Sequence, residues 1–528
     1  MKLYLLLIIG IISSPFFGFS QAGFQYAYGQ FGIDQAYSMI RTSDNALVLT
    51  GEYDVNGAQV YLIKLDSSGS MIWSQTYGRA KEMKTANGSG NRGYSVIQTH
   101  DGGFMIGGEA HSFGEGQADM YIIKTDSAAN HIWSRTLGGN LDEYCYSIIE
   151  TSDSCFLLAG STESVGSGFR NVYLAKISAV GDSIWTKTIG DTFFEAANEI
   201  IEIEDGFVLA GYTYSTPSGN ADFLLLKLDF NGNILWQRSY GWEFHDFAES
   251  VIQTHDGGFI VVGSREVDIS GETDVLLIKA DSAGNIQWSR SYGGSDVEDG
   301  NSVIQLEDNG FAIVGFSKSF GAGQEDVLVI RTDSIGNLIL SNVYGGSSQD
   351  IGLDLVQGSA GELYISGRVQ SFNIATSDVY LLKLDANGES GCHQSVASIS
   401  VSTDTANAYN LNLMVGDGGV LDTSNTIFGS TSTVRIDVCD TPSNIISLEE
   451  LDVEIYPTLT NGSINIRFPD LGFYSGVVKD NLGRAVFRFF HSLGFSKILD
   501  VSHFDSGLYY IEIESRKGRK LERVLLLK

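Results

Sequence analysis

The chain has 528 residues, 62 of them Gly and only five Pro, and a formal net charge of −31. That length accommodates a large core plus accessory domains. The acidic balance argues against nucleic acid and anionic membrane surfaces as partners and suits solubility, with polyvalent calcium binding as the functional competitor.

Met1-Lys2, the apolar run Leu3 to Ile12 and the small residues of Ser20-Gln21-Ala22 read as a secretory signal peptide over 1–22. About ten apolar residues fall short of the roughly 30 Å hydrocarbon core of a bilayer. No later stretch is long enough to cross one, and no cysteine follows the run to take a lipid. The mature chain is expected outside the inner membrane.

From residue 23 to 391 the sequence repeats. The stretch DVLLIKAD at Asp274 has counterparts beginning at Val60, Asp119, Asn171, Asp222, Asp326 and Asp378, seven in all. Trp133, Trp185, Trp236 and Trp288 are spaced 52, 51 and 52 apart; Trp73 lies 60 before Trp133, and Leu340 takes the position in the sixth copy. Each copy reads as four short strands, runs of Val, Ile, Leu, Phe and Tyr bounded by Gly, Asn and Asp turns. No segment has helical spacing of apolar residues. A four-stranded unit at this period predicts a β-propeller blade.

The seventh copy lacks a fourth strand, while Phe24-Gln-Tyr-Ala-Tyr-Gly29 matches Trp288 to Gly293 in register. The N-terminal strand is therefore expected to complete the last blade, which also removes exposed sheet edges. The fold class is all-β: a seven-bladed propeller closed by its N-terminal strand, then a small β connector and a β-sandwich C-terminal domain.

Linkers between blades supply the candidate site residues. The first, Arg79 to Gly93, is basic and about eight residues longer than the others; Arg79, Lys81, Lys84 and Arg92 are candidates for an acidic glycan, against a tolerated surface insertion. Phe193, Trp242, Phe244 and His245 belong to the same face, where aromatics stack on sugar rings or simply pack over the blade tops. Acidic residues recur at Asp34, Asp142, Glu195, Asp246, Asp296 and Asp350, and before the third strands at Asp119, Asp222, Asp274, Asp326 and Asp378. Repetition favours turn capping over catalysis, which needs two carboxylates in unlike surroundings. Asp296, Glu298 and Asp299 come nearest to a calcium loop; no other cofactor is expected. No nucleophile motif or phosphate-cradling loop appears.

The run Asp281-Ser-Ala-Gly-Asn-Ile-Gln-Trp288 is similar to the blade motif of pyrroloquinoline-quinone-type propellers and spaced unlike a sialidase Asp-box. Those dehydrogenases have eight blades, and many carry adjacent paired cysteines, absent here, so the resemblance implies the fold without the redox activity. Cys392 and Cys439 bracket residues 392–445, a β-rich connector and linker, and are disulfide candidates in an oxidising compartment. Cys145 should face Gly160 across a hairpin, leaving Cys145 and Cys155 unbridged.

Residues 446–528 form an alternating β pattern with a basic end. Tyr456-Pro457, Asn461-Gly462, Gly483, Gly507, Tyr509 and the tail around Lys520 resemble the type A C-terminal sorting domain of the Bacteroidetes type IX secretion system, with Thr458-Leu459 in place of the usual Asn-Pro. The resemblance implies engagement of that secretion machinery, passage across the outer membrane, removal of the domain, and surface attachment or release. The leading functional expectation is a non-catalytic binding or adhesion platform, with extracellular polysaccharide as candidate ligand. A propeller-fold glycan hydrolase or lyase and a protein–protein scaffold at the cell surface are the alternatives.

Overall fold

The computed structural model describes residues 23–439, apart from 30–31, 55–57, 79–89, 115, 217–218, 373–375 and short links after residue 403, and most of 454–526. The signal-peptide stretch lies outside the described residues. Two compact units result, Met1–Asp440 and Thr441–Lys528.

The fifth blade shows how sequence becomes structure. Asp246–Gln253, Phe259–Glu266, Thr273–Ala280 and Ile286–Gly293 pair in that order, all antiparallel. Only the innermost and outermost strands alternate in burial; the two middle ones are almost wholly buried, so they read as continuous apolar runs. The last turn is built by Asp281, whose carboxylate accepts the N–H groups of Ala283 and Asn285 at 2.9 and 2.8 Å. Gly284 there takes φ +76°, which glycine adopts without penalty. In the second blade Ala129 fills the same place at φ 62°.

Seven such sheets form the ring. Each innermost strand neighbours the innermost strands on both sides. The ring closes as the repeat implies: Phe24–Gly29 pairs with Asp378–Leu384, Phe24 opposite Lys383 and Tyr28 opposite Val379. Asp34 N–H donates to Ser377 O at 3.0 Å, joining first blade to seventh.

One face carries the turns within blades, and its devices repeat. A cation on every third strand meets an acid in the first turn of its blade: Lys64–Asp44, Lys124–Asp101, Lys176–Asp153, Lys227–Asp205, Lys279–Asp256, Arg331–Asp308 and Lys383–Glu362. Tyr28, Tyr77, Tyr240, Tyr292 and Tyr344 each donate to a turn carbonyl of the next blade at 2.6–2.7 Å. The tryptophans press on the same turns. A Cβ on Gly284 would stand 2.9 Å from the Trp236 ring and one on Gly232 2.9 Å from Trp185. The landmark motif is therefore an inter-blade lock.

The segment after the seventh blade, expected as a separate connector, is built into the propeller instead. Gln394–Val396 adds to the outer edge of the sixth blade, Ser400–Ser402 to the fifth, Asn407–Asn410 to the fourth and Met414–Asp417 to the third. Val420–Thr423, Ile427–Ser430 and Val434–Asp437 continue to the second, first and seventh. The four-stranded blades thus become five-stranded, and a belt runs once around the ring, opposite to the order of the blades. Unpaired outer edges recruit any strand able to pair with them, and this chain supplies its own. Ala397, Ala406, Leu413 and Val438 of the belt are buried among the blade cores. A Cys392–Cys439 disulfide, Cα atoms 5.4 Å apart, closes the loop. Cys145 sits opposite Gly160, and both it and Cys155 are free thiols.

In the C-terminal unit Glu454–Tyr456, Ser463–Arg467 and Ser496–Asp500 form one sheet. Leu459–Thr460, Gly518–Leu526, Gly507–Ser515, Tyr474–Lys479 and Ala485–His491 form the other. Ile464, Ile466, Val478, Leu499, Ile511 and Ile513 make the core between them.

Candidate functional site

The innermost strands wall an axial channel, and each carries one bulge at the same place. The extra residues are Tyr37, Tyr94, Tyr146, Asn198, Glu249, Asn301 and Leu353. A bulge re-aims one side chain and is enriched next to functional sites. Residues just before the bulges are small: Ala36, Gly93, Cys145, Ala197, Ala248, Gly300 and Gly352. Those just after stitch neighbouring blades. Ser95 and Ser147 hydroxyls accept amides of Ile148 and Ile200, Glu199 accepts that of Val251 at 2.6 Å, and Asp354 that of Met39 at 2.8 Å. Against this regular frame the bulged column is irregular, and the irregularity has a pattern.

Three tyrosines of that column converge across three blades. Tyr37 and Tyr94 meet edge-on at 4.9 Å between centroids, and Tyr94 and Tyr146 lie 5.5 Å apart. Tyr144 stacks on Tyr146 at 5.6 Å, and the Arg170 guanidinium lies 5.6 Å over the Tyr144 ring. Arg170 donates to Glu163 and lies within electrostatic reach of Tyr212. Tyr212 meets Phe247 at 5.3 Å, His245 stacks on Phe247 and contacts Tyr214, and Tyr214 meets Phe194 at 5.7 Å. Phe169 stacks on Phe194 and is 69% exposed. The first five blades thus present an arc of two aromatic groups, bridged by Arg170 between the third and fourth blades, at the mouth of the channel, on the face opposite the repeated turns.

The rest of the rim is polar. Arg92 pairs with Glu52 and Glu109, and the Tyr94 hydroxyl donates to Glu109 at 2.9 Å. Between the sixth and seventh blades Glu325 takes Lys318 at 3.5 Å and Arg368 at 3.7 Å. Glu325 Oε2 and Arg368 Nε are buried without a hydrogen-bond partner, a costly state unless a ligand or water completes it.

Burial raises the pKa of carboxyl groups inside the channel and at the mouth. Burial pushes Glu199 up to about 7. Burial, then the Asp299 charge, pushes Glu249 up to about 8. Asp354 rises to about 6 and Asp299 also rises, again by burial. At the start of the inner and third strands, burial brings Asp246 to about 8, Asp222 to about 7 and Asp326 to about 6.

Of the residues singled out from the sequence, Arg79, Lys81 and Lys84 lie outside the described residues. Arg92 reaches the rim, where two carboxylates take up its charge. Phe193 is 50% exposed beside the arc; His245 belongs to it and also accepts the Ala221 N–H at Nδ1. Trp242 packs on the core beneath the Arg265 guanidinium, 4.2 Å from its centroid, and Phe244 is half-buried. Asp296, Glu298 and Asp299 diverge. Asp296 is exposed, Glu298 caps Gly294, Ser317 and Ser319, and Asp299 turns to the channel and Thr273. Among the described residues no three His, Cys, Asp or Glu side chains gather around one point. The recurring acid at the start of the inner strands is a cap, and its true members in the third and sixth blades are Glu143 and Glu298, not Asp142 and Asp296.

The tyrosines of the arc and Arg170, Arg368 and Glu325 escape a motif search. Their signal is a column that varies where its neighbours repeat, which becomes visible only once the bulge fixes the alignment.

Tyr456, Gly507, Tyr509 and Lys520 of the tail motif lie on strands, while Pro457, Asn461, Gly462 and Gly483 fall outside the described residues. Residues 454–527 match the secretion system C-terminal sorting domain. Fold and tail define an exported seven-bladed β-propeller, directed to the cell surface or beyond it. No helix among the described residues is long and apolar enough to cross a membrane.

Over 138 residues the chain is 31% identical to the regulatory protein FlaEY of Caulobacter vibrioides, an alignment covering 23% of this chain and 14% of that one. The chain thus spans about a seventh of that relative. Among solved structures, the extracellular domain of the hybrid two-component system BT3049 of B. thetaiotaomicron aligns over 93% of this chain and 68% of its own, with 10% identity and TM-score 0.33. The periplasmic gluconolactonase PpgL of Pseudomonas aeruginosa aligns over 76% of this chain and 99% of its own, with 11% identity and TM-score 0.35.

Proposed function

We propose that the propeller is a glycan-binding platform displayed outside the cell by its sorting tail, with the channel mouth as its site. The aromatic arc carries this reading. Sugar rings present apolar C–H faces that stack on aromatic planes and hydroxyl edges that need paired donors and acceptors. The mouth offers both, with Tyr144, Tyr212, Phe247 and Phe169 on one side and Arg368 and Glu325, hydrogen-bonding groups unmet, on the other. These groups sit where the repeat is broken, whereas the repeated groups are consumed in holding blades together.

The test is isothermal titration of the full chain with a panel of bacterial and algal polysaccharides, with reducing ends assayed in the same wells. Saturable binding that Tyr144→Ala and Arg368→Ala each weaken by about tenfold supports the reading. Binding to no glycan in the panel, or binding unmoved by both variants, overturns it.

Glu249 supports a second reading, catalysis, because a carboxyl held protonated near neutral pH is what a general acid requires. Release of reducing ends, abolished in Glu249→Gln, would replace the non-catalytic reading with that one.

A further inference from the structure

On the turn face, the junction of the sixth and seventh blades departs at four positions together from the five junctions that precede it. From the first blade to the sixth, the outer strand of one blade lays a tryptophan against the next blade's turn, and a phenylalanine opens the next blade's second strand; at the ring closure Phe24 and Leu47 hold these places. Trp73 meets Phe104 at 5.8 Å, Trp236 meets Phe259 at 6.2 Å and Trp288 meets Phe311 at 6.2 Å. Here both rings are gone, replaced by Leu340 and Leu363. The cation that covers the tryptophan in the second to fifth blades, Arg135, Lys187, Arg238 or Arg290, is replaced by Asn342, which turns to Gly388 O and the Tyr344 hydroxyl; Gln75 and Tyr26 hold the place in the first blade and the closing strand.

The missing volume is not refilled. A cavity of about 300 Å³ remains, lined by Leu306, Val329, Leu340, Leu363 and Leu384 with Arg331 at its polar end. Such a volume is at the lower end of small-molecule sites, roughly 300–1,000 Å³. It suits one ring system of about the size that the sister junctions bury from their own chain.

Arg331 is the fourth departure. The other six blades have lysine at this position. Arg331 gives one terminal nitrogen to Asp308 at 2.8 Å and the other to Ala386 O at 3.1 Å. Its Nε–H is buried and has no acceptor. An unmet donor beside an apolar cavity calls for one acceptor on whatever fills it. Asp308 already pairs with the guanidinium and Asp385 lines the same cavity, so an anionic acceptor would add a third negative charge.

We propose that this junction is a second binding site, separate from the channel mouth, for a neutral aromatic small molecule bearing one carbonyl or similar acceptor. The ring takes the place of the absent tryptophan, and the acceptor receives the Arg331 Nε–H. The site stands whatever the mouth binds.

The probes are indole-3-carboxaldehyde, indole and indole-3-carboxylate, titrated into the full chain by calorimetry. The aldehyde should bind saturably at one site. Indole, which lacks the acceptor, and the carboxylate, which brings a charge, should each bind about tenfold more weakly. Leu340→Trp rebuilds the sister junction and should abolish binding while holding or raising Tm. Leu363→Phe, which narrows the cavity from its other wall, should weaken binding as well. Arg331→Lys should reduce the aldehyde's affinity to that of indole. No saturable binding of any probe, a carboxylate that binds best, or binding that survives both Leu340→Trp and Leu363→Phe overturns the proposal.

Discussion

The two faces of the propeller are built from the same repeat and have opposite characters. On the turn face most blades draw on one shared set of devices: a lysine on the turn aspartate, a tryptophan on the neighbouring glycine, a tyrosine on the neighbouring carbonyl. At the mouth, equivalent positions hold three tyrosines, two asparagines, a glutamate and a leucine in turn. Identical surroundings demand identical residues wherever blades must fit each other. Where side chains face the axis no neighbour imposes that demand, and chemistry can differ from blade to blade. The sixth–seventh junction is instructive because it breaks the rule on the conservative face.

The largest effect should come from neither face but from the belt around both. Breaking the Cys392–Cys439 bond by a double Cys→Ser replacement opens a loop of 47 residues. Chain-entropy reasoning puts that near 4 kcal/mol, to be read as a fall in the denaturation midpoint with ligand affinity at the mouth retained. Trp236→Ala empties one lock on the turn face and should remove about 3 kcal/mol, again without touching affinity. An affinity loss as large as that of a rim variant would break the separation of faces.

The pH response sharpens it. On the turn face, hydrogen bonds from Lys64 and Thr42 hold Asp44 at about 2, and those from Thr254 and Lys279 do the same for Asp256. Unfolding returns these groups to about 4, so their contribution is present above pH 4 and is lost as pH falls towards 2. The mouth and channel carboxylates behave inversely. The native state keeps protons on Asp354, Asp326, Glu199, Asp222, Glu249 and Asp246 that the unfolded chain releases near pH 4. Stability is therefore fully supported by them below about pH 4 and declines as pH rises through 6 to 8. Tm measured from pH 5 to 9 should fall, and Glu199→Gln with Glu249→Gln should flatten the slope.

Smaller effects complete the series. Tyr292→Phe deletes one donor to Gly336 O and should cost about 1 kcal/mol. Tyr144→Ala, on the mouth rim, should move stability least while reducing glycan affinity most. The reverse order for these two would mean that the arc is packing and the lock is function.

Much of the architecture was legible in the sequence because repetition multiplies a weak signal. One blade's alternating strands are ambiguous; seven copies in register, four of them with Trp spaced 51 or 52 residues apart, and an N-terminal match to the missing last strand are not. Turn aspartates, positive-φ glycines and the tail motif are local chemistry and need no knowledge of neighbours. The belt was not legible as a belt. Its strands are three or four residues long and are held through backbone hydrogen bonds, which any sequence can make and none announces. The aromatic arc and the empty junction stayed hidden for a related reason. Tyr37, Tyr94, Tyr146, Tyr212 and Phe247 are up to 210 residues apart in the chain, and Leu340 and Leu363 look like ordinary core residues when read alone. Only ring closure sets the first five around one opening and the last two across one void, because both are properties of how blades face each other and not of any blade by itself.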